Sequence, residues 1–194
     1  MLTTHLIFFG MWVVYYALHS YMALSSVKAR VPLSAQAYRL LYSAFAGLGL
    51  LFILFFGASL ESSFIIAPSE TTTYVGLILA GTGVLLIKRA FRSYSFRGFI
   101  GFKKEDTTTL HTSGLQSRMR HPLYTGTILL VGGYLIFNPL LVNLVTFGSL
   151  MLYLPLGIRL EEKKLVEQFG QSYEKYRHQV PALFPNPFKK SSAS

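Results

Sequence analysis

This sequence predicts an all-α integral-membrane bundle of five transmembrane helices, and three observations carry that reading. First, 52% of the 194 residues are hydrophobic and only 13% are charged, with mean hydropathy +0.43. An average soluble domain carries about 25% charged residues, so too little polar surface remains here to coat a water-soluble globule. Second, stretches free of Lys, Arg, Asp and Glu recur at lengths that cross a hydrocarbon core of about 30 Å at 1.5 Å per residue. Third, the formal net charge of +10 comes from 18 Lys and Arg against 8 Asp and Glu, and the basic residues cluster between spans in an alternating way. With no cysteine, disulfides, thiolate metal sites and cysteine nucleophiles are excluded. The length suits one domain, residues 1–194.

Residues 1–27 contain no Lys, Arg, Asp or Glu. Their apolar run exceeds the core of a signal peptide and lacks a basic leader, so a retained first span is expected over residues 4–24. A basic patch follows with Lys28, Arg30 and Arg39, and Pro32 interrupts any continuous helix. Span two is expected over 40–60. The link after it carries Glu61, Glu70 and Pro68 but no Lys or Arg.

Span three is expected over 72–89, with Lys88 and Arg89 snorkelling from its last turn. Its glycines Gly76, Gly81 and Gly83 resemble a nucleotide-binding loop only faintly. Small residues inside an apolar helix ordinarily let a neighbouring helix approach, and that is the expectation here. The chain is then polar and basic up to Arg120, forming the largest extramembrane loop.

From His121 to Ile158 nothing is formally charged, and Asn138-Pro139 marks a turn in the middle. A helical hairpin follows, with span four over 123–137 and span five over 139–160. Span four is short, about 21 Å. Either its tip stops inside the far leaflet or its Arg120-His121-Pro122 start is sunk in a polar cleft. An amphipathic cytoplasmic helix is expected over 161–178, with continuation of span five into it and a break near Gly170 as options. Starting with the amino terminus outside, this order places all 18 basic residues on one side, as the positive-inside rule requires. The charge is therefore a topology signal, and nucleic acid is not an expected partner. The expected location is integral to a membrane, multi-pass, which is the cell membrane if the chain is prokaryotic, with the carboxyl terminus cytoplasmic.

Two polar clusters border the hairpin. In Arg120-His121-Pro122-Leu123-Tyr124, the proline suits the first turn of span four, which puts His121 at the cap. The free N–H groups and positive pole of such a helix form an anion site. The second cluster, Arg159 with Glu161 and Glu162, lies at the membrane boundary, where a carboxylate is unfavourable unless paired. Each cluster alone reads as a snorkelling arginine or a solvated helix start. The hairpin brings the two together, which favours a site. His111, His121 and His178 lack metal-ligand spacing, and no metal is expected.

Arg120-His121-Pro122, Tyr124, Gly126, Asn138-Pro139, Glu161-Glu162, Phe169-Gly170, Tyr173, Tyr176 and Val180-Pro181 with Pro185 together resemble the isoprenylcysteine carboxyl methyltransferase family and its prokaryotic relatives. The likeness runs from about Thr108 to Pro187. It implies S-adenosylmethionine as methyl donor, with S-adenosylhomocysteine as product, in a pocket formed by the cytoplasmic loop and the carboxyl-terminal helix. Carried over by position, Thr108, Thr109, Leu110, His111, His121, Pro122, Leu123, Tyr124 and Glu161 contact the cofactor. Gln116 stands where the family often has tyrosine, and is assigned to the cofactor with them. Gly157 occupies the place of a substrate-binding arginine in the eukaryotic members, so Arg159 and Glu162 are assigned to catalysis, with Arg159 steering the acceptor.

The acceptor implied is lipophilic, a prenylcysteine-like carboxylate presented from the membrane lipid. Two enzymatic rivals share parts of the pattern: a phospholipid N-methyltransferase, whose amine acceptor favours a carboxylate beside the methyl group, and a sterol-type reductase that binds NADPH. The non-enzymatic rival is a membrane scaffold whose clusters are topology and packing features.

Overall fold

The computed structural model describes residues 2–92, 96–102 and 109–185. Among these residues the chain is helical, without strands, in the order α1 (Leu2–Met22), α2 (Ser25–Arg30), α3 (Ala35–Ala58), α4 (Glu70–Ala90), α5 (Phe96–Phe99), a 3₁₀ turn (Gly114–Ser117), α6 (Pro122–Phe137), α7 (Leu141–Phe169) and α8 (Gln171–Gln179). Four of these helices, α1, α3, α4 and α7, are long and apolar enough to cross a membrane. The fifth apolar helix, α6, has only 16 residues, about 24 Å at 1.5 Å per residue.

Local chemistry sets the boundaries. Ser34 caps α3 by accepting the N–H of Ala37 at 3.2 Å, so that helix begins five residues earlier than its apolar run. Ser69 and Thr72 cap α4 reciprocally, satisfying amides that a helix start otherwise leaves open. Asn138 and Pro139 form the hairpin turn, closed by Asn143 Nδ2 donating to Asn138 O at 2.8 Å. The turn is tied to the α3–α4 link through Ile65 N to Pro139 O at 2.8 Å and Leu141 N to Ser63 O at 2.9 Å. Helix α7 does not stop at the expected end of span five. It runs on to Phe169 and ends at Gly170, whose φ of +54° breaks the helix before α8.

Two kinds of packing hold the bundle. Antiparallel α4 and α6 meet backbone to backbone through glycines seven residues apart on each helix: Gly76 and Gly83, Gly126 and Gly133. A Cβ on Gly83 would lie 2.5 Å from Leu130 N and 2.6 Å from Gly126 O; one on Gly133 would reach Ala80 N and Gly76 O. Gly81 faces open space. The expectation of helix contact thus holds for Gly76 and Gly83, one face of α4, and not for Gly81 on another.

The remaining spans α1, α3 and α7 are joined by aromatic and polar contacts. Lipid tails are as apolar as leucine, so packing and interhelical hydrogen bonds must supply the attraction. Tyr16 stacks flat on Tyr153 with centroids 4.2 Å apart. The Tyr153 hydroxyl bonds Ser20 at 2.9 Å, and that of Tyr42 bonds His19 Nε2 at 2.6 Å. His19 is therefore a packed residue. At the other end of α1, His5 Nε2 bonds Ser62 Oγ at 3.1 Å, and Ser62 Oγ in turn accepts the N–H of Val142 at the start of α7. Large side chains such as Leu48, Phe52, Phe55, Leu85 and Leu152 point outward and exposed, as lipid-facing residues do.

Because the contact at Gly83 is with backbone, no rotamer change relieves a larger side chain there. Gly83→Ala and Gly133→Ala are each expected to cost about 2–3 kcal/mol, the upper range for overpacking. Gly81→Ala is expected to be neutral or slightly stabilising, since alanine favours a helix over glycine by up to about 1 kcal/mol. Thermal unfolding of the three variants in one detergent measures the difference.

Candidate functional site

The site grows from the start of α6. Pro122 occupies the first helical position and His121 the cap. Since Pro122 has no N–H, the first-turn amides of Leu123 and Tyr124 are the ones that lack an intrahelical acceptor. The carboxyl-terminal segment after α8 lies along this start. Arg120 N donates to Pro181 O and His121 N to Ala182 O, both at 2.9 Å, and Thr125 Oγ1 donates to Leu183 O at 2.9 Å. Three successive residues of tail, Pro181 to Leu183, thus pair with the segment that carries the chemistry.

Helix α7 supplies the opposing charges. Glu162 Oε1 accepts from Arg120 Nε at 2.8 Å and Nη2 at 2.6 Å, and lies 3.1 Å from His121 Nε2. Glu161 Oε2 is 3.5 Å from His121 Nδ1. Side chains of Arg120, His121 and Glu162 are 10%, 4% and 12% exposed, and Glu161 is 45% exposed. Arg120 Nη1 also donates to the carbonyls of Arg177, at 3.0 Å, and Val180. Tyr124 stacks on the His121 ring with centroids 5.3 Å apart. The two clusters of the sequence reading therefore meet. With His121 protonated, two cations face two carboxylates and the group is neutral overall.

That arrangement sets the protonation of His121. Burial by itself lowers its pKa; hydrogen bonds and charge from Glu161, then Glu162, outweigh burial and hold the value above the ordinary histidine range. Both ring nitrogens face a carboxylate, so both act best as donors.

The other assigned residues are distributed around this centre. Pro122 is buried, Leu123 and Tyr124 half-buried. Thr109 and His111 are exposed and Leu110 half-buried ahead of the 3₁₀ turn, while Thr108 lies outside the described residues. Gln116 is 1% exposed, and neither its Nε2 nor its Oε1 has a partner; its carbonyl accepts the Tyr176 hydroxyl at 2.7 Å. Arg159 is exposed and is not joined to His121. It lines a cleft of about 480 Å³ between α7 and α8 with Glu162, Lys163, Val166, Glu174 and Arg177. Glu162 borders both the cleft and the ion cluster. Reasoning from residue types missed the tail segment Val180 to Leu183, which contributes through backbone carbonyls. Its sole signal was Val180-Pro181 in the family resemblance.

A family model described as NnrU protein matches residues 7–184. The chain belongs to the NnrU family. Among curated proteins, it is 37% identical over 99 residues to a methanethiol S-methyltransferase of Crocosphaera subtropica, covering 48% of this chain and 36% of that one. It is 32% identical over 139 residues to the protein-S-isoprenylcysteine O-methyltransferase of Xenopus laevis, covering 64% and 48%. A methanethiol S-methyltransferase 1 of Bradyrhizobium diazoefficiens is 26% identical over 124 residues, covering 59% and 40%. The likeness to isoprenylcysteine methyltransferases thus holds, and this NnrU chain spans about half or less of the length of the curated relatives it matches.

Removing the charge of Glu162 leaves Arg120 and His121 facing a neutral group in a largely enclosed place. Glu162→Gln is expected to cost about 3 kcal/mol, measured by thermal unfolding in detergent. The raised His121 pKa means that the folded chain holds a proton the unfolded chain has lost, in the window above the unfolded value of about 6.5. Stability should accordingly fall as pH rises from there through the folded-state pKa, and that slope should flatten in His121→Asn.

Proposed function

We propose that this chain is an integral-membrane methyltransferase that uses S-adenosylmethionine to modify a lipophilic acceptor, a prenylcysteine-like carboxylate. The observation that carries the reading is the convergence of Arg120, His121, Tyr124, Glu161 and Glu162 on the positive pole of α6 within an apolar bundle. A scaffold needs no such buried charge, which is costly at a membrane boundary.

The residues present fit the donor. The first-turn amides of α6, beside the positive charge of His121, suit its carboxylate, the half-exposed Glu161 suits a cationic group, and the buried amide of Gln116, unpaired among the described residues, suits a polar ligand atom. Bound S-adenosylmethionine supplies an electrophilic methyl group. The chain's own part is to bind, orient and exclude water. Glu162 positions Arg120 and His121, and these fix the start of α6. Thr108, Thr109, Leu110, His111, Pro122, Leu123 and Tyr124 complete the donor pocket.

On the acceptor side, both His121 nitrogens are taken by carboxylates, so the hairpin mouth offers no spare imidazole to deprotonate a thiol. A carboxylate acceptor is already ionised at neutral pH and needs positioning rather than a base. Arg159, facing the α7–α8 cleft, steers it. The acceptor arrives from the bilayer and the water-soluble donor from the cytoplasm, with the amino terminus outside. Cysteines introduced singly at Ser69 and Ser191 are expected to label from opposite sides.

Calorimetry in detergent tests the whole reading. S-adenosylmethionine and S-adenosylhomocysteine should bind and NADPH should not; His121→Ala and Glu161→Ala should each weaken binding at least about tenfold, a loss of roughly 1.4 kcal/mol. An S-farnesylated N-acetylcysteine should be methylated at its carboxylate, and Arg159→Ala should raise its KM with the donor affinity unchanged. Methylation of an alkanethiol in preference would transfer the assignment to the thiol class.

A further inference from the structure

Gln116 sits in the 3₁₀ turn before Arg120 and is 1% exposed, and both ends of its carboxamide are unpaired among the described residues. Its backbone is not loose. The Tyr176 hydroxyl holds the Gln116 carbonyl at 2.7 Å, and the N–H groups of Arg118 and Met119 both close onto Leu115 O at 3.0 Å. A buried polar group without partners is destabilising, while an apolar group of the same shape is close to neutral there. The fold thus keeps an amide whose hydrogen bonds the described residues do not supply.

The chemistry of the missing partner follows from what a carboxamide offers. Nε2 donates and Oε1 accepts, side by side in one plane. A carboxylate satisfies only the donor and an ammonium only the acceptor. Adenine presents an amino donor next to a ring-nitrogen acceptor, and glutamine pairs with that edge in two hydrogen bonds. We propose that Gln116 reads the adenine edge of the methyl donor and sets its preference for that base. This rests on the methyl-donor reading above.

The position also explains a departure from the family. A tyrosine carries one hydroxyl at the end of a rigid ring and cannot present a donor and an acceptor in parallel. In this chain the 3₁₀ turn, anchored by Tyr176 of α8, holds an amide in that place. The carboxyl-terminal helix therefore supports recognition of the base through the backbone of residue 116.

The experiment compares wild type with Gln116→Met, which keeps the volume and removes both polar atoms, in calorimetry with S-adenosylhomocysteine and its N6,N6-dimethyl analogue. Wild type should prefer the unmodified ligand by at least about tenfold. Gln116→Met should bind it about 10- to 100-fold more weakly and show no preference between the two. Without ligand, Gln116→Met should melt a few degrees higher, because the buried orphan is gone. Gln116→Glu, which keeps the acceptor for the N6 amino group and loses the donor to the ring nitrogen, should bind S-adenosylhomocysteine more weakly yet still prefer it over the dimethyl analogue. Loss of that preference in Gln116→Glu overturns the inference if the methionine variant does not fold.

Unchanged affinity in Gln116→Met, or a base preference that survives the substitution, overturns the inference while leaving the methyl-donor reading intact. A wild-type chain that binds no S-adenosylhomocysteine removes both. A ligand-free melting point that falls in Gln116→Met assigns the amide to the fold, and the inference fails.

Discussion

Glu162 is a carboxylate, 12% exposed, at the place where an apolar helix leaves the bilayer. It cannot stay charged there without partners, and the partners it takes order everything around it. Arg120 and His121 must come to α7, which closes the hairpin at its open end. Arg120 has donors left over, and these collect the carbonyls of Arg177 and Val180, which draws the tail back across the start of α6. A charged pair in such a position adds little net stability over an apolar replacement, but losing one member is costly. Its value lies in specifying one arrangement of α6, α7 and the tail.

That arrangement would be imprecise if α6 could slide. The glycine contacts of α4 and α6 prevent it, because backbone atoms in direct contact allow few alternative registers. The α4–α6 pair thus sets the depth of His121, and α7, running on for about 12 Å beyond Glu161, brings α8 to the same level. The result encloses the start of the short helix with protein: Arg120 and His121 are buried by α7, α8 and the tail. Of the two ways to accommodate a short span, a polar cleft at its Arg120-His121-Pro122 start is the one the packing supplies.

Much of this was legible beforehand because membrane chains write their long-range order in local composition. Uncharged runs located α1, α3, α4 and α7, Asn138-Pro139 located the turn, and the hairpin made the pairing of Arg120-His121 with Glu161-Glu162 unavoidable. Helix ends were less legible: Ser34 and Gly170 act through cap geometry, which apolar runs do not encode. The continuation of α7 to Phe169 was foreseen only as an option, since a charged amphipathic stretch fits one helix or two. The tail segment Val180 to Leu183 was invisible to residue chemistry, because its contribution is made by carbonyl groups that every residue has. The partners of Arg159 were likewise unreadable: two residues of helix turn a side chain about 200°, which is enough to move it from the His121 face to the α7–α8 cleft.

The same rotation explains how one helix serves two phases. Tyr153, Gly157 and Glu161 follow at intervals of four and share a face of α7, and a Cβ at Gly157 would come within 3.2 Å of the Tyr153 ring. A glycine there lets the phenol lie along the helix between the polar contacts of His19, Ser20 and Tyr42 and the carboxylate of Glu161. Hydrogen-bonding groups therefore continue from the ion cluster into the bundle instead of stopping at its surface. Along that face the residues run from Leu141 and Val145 near the hairpin turn through Ser149 and Tyr153 to Glu161, and so become increasingly polar. The cleft that holds Arg159 lies about half a turn of helix away, between α7 and α8. Arg159 is thereby set apart from the His121 contacts, while Glu162, between the two, borders both the ion cluster and the cleft.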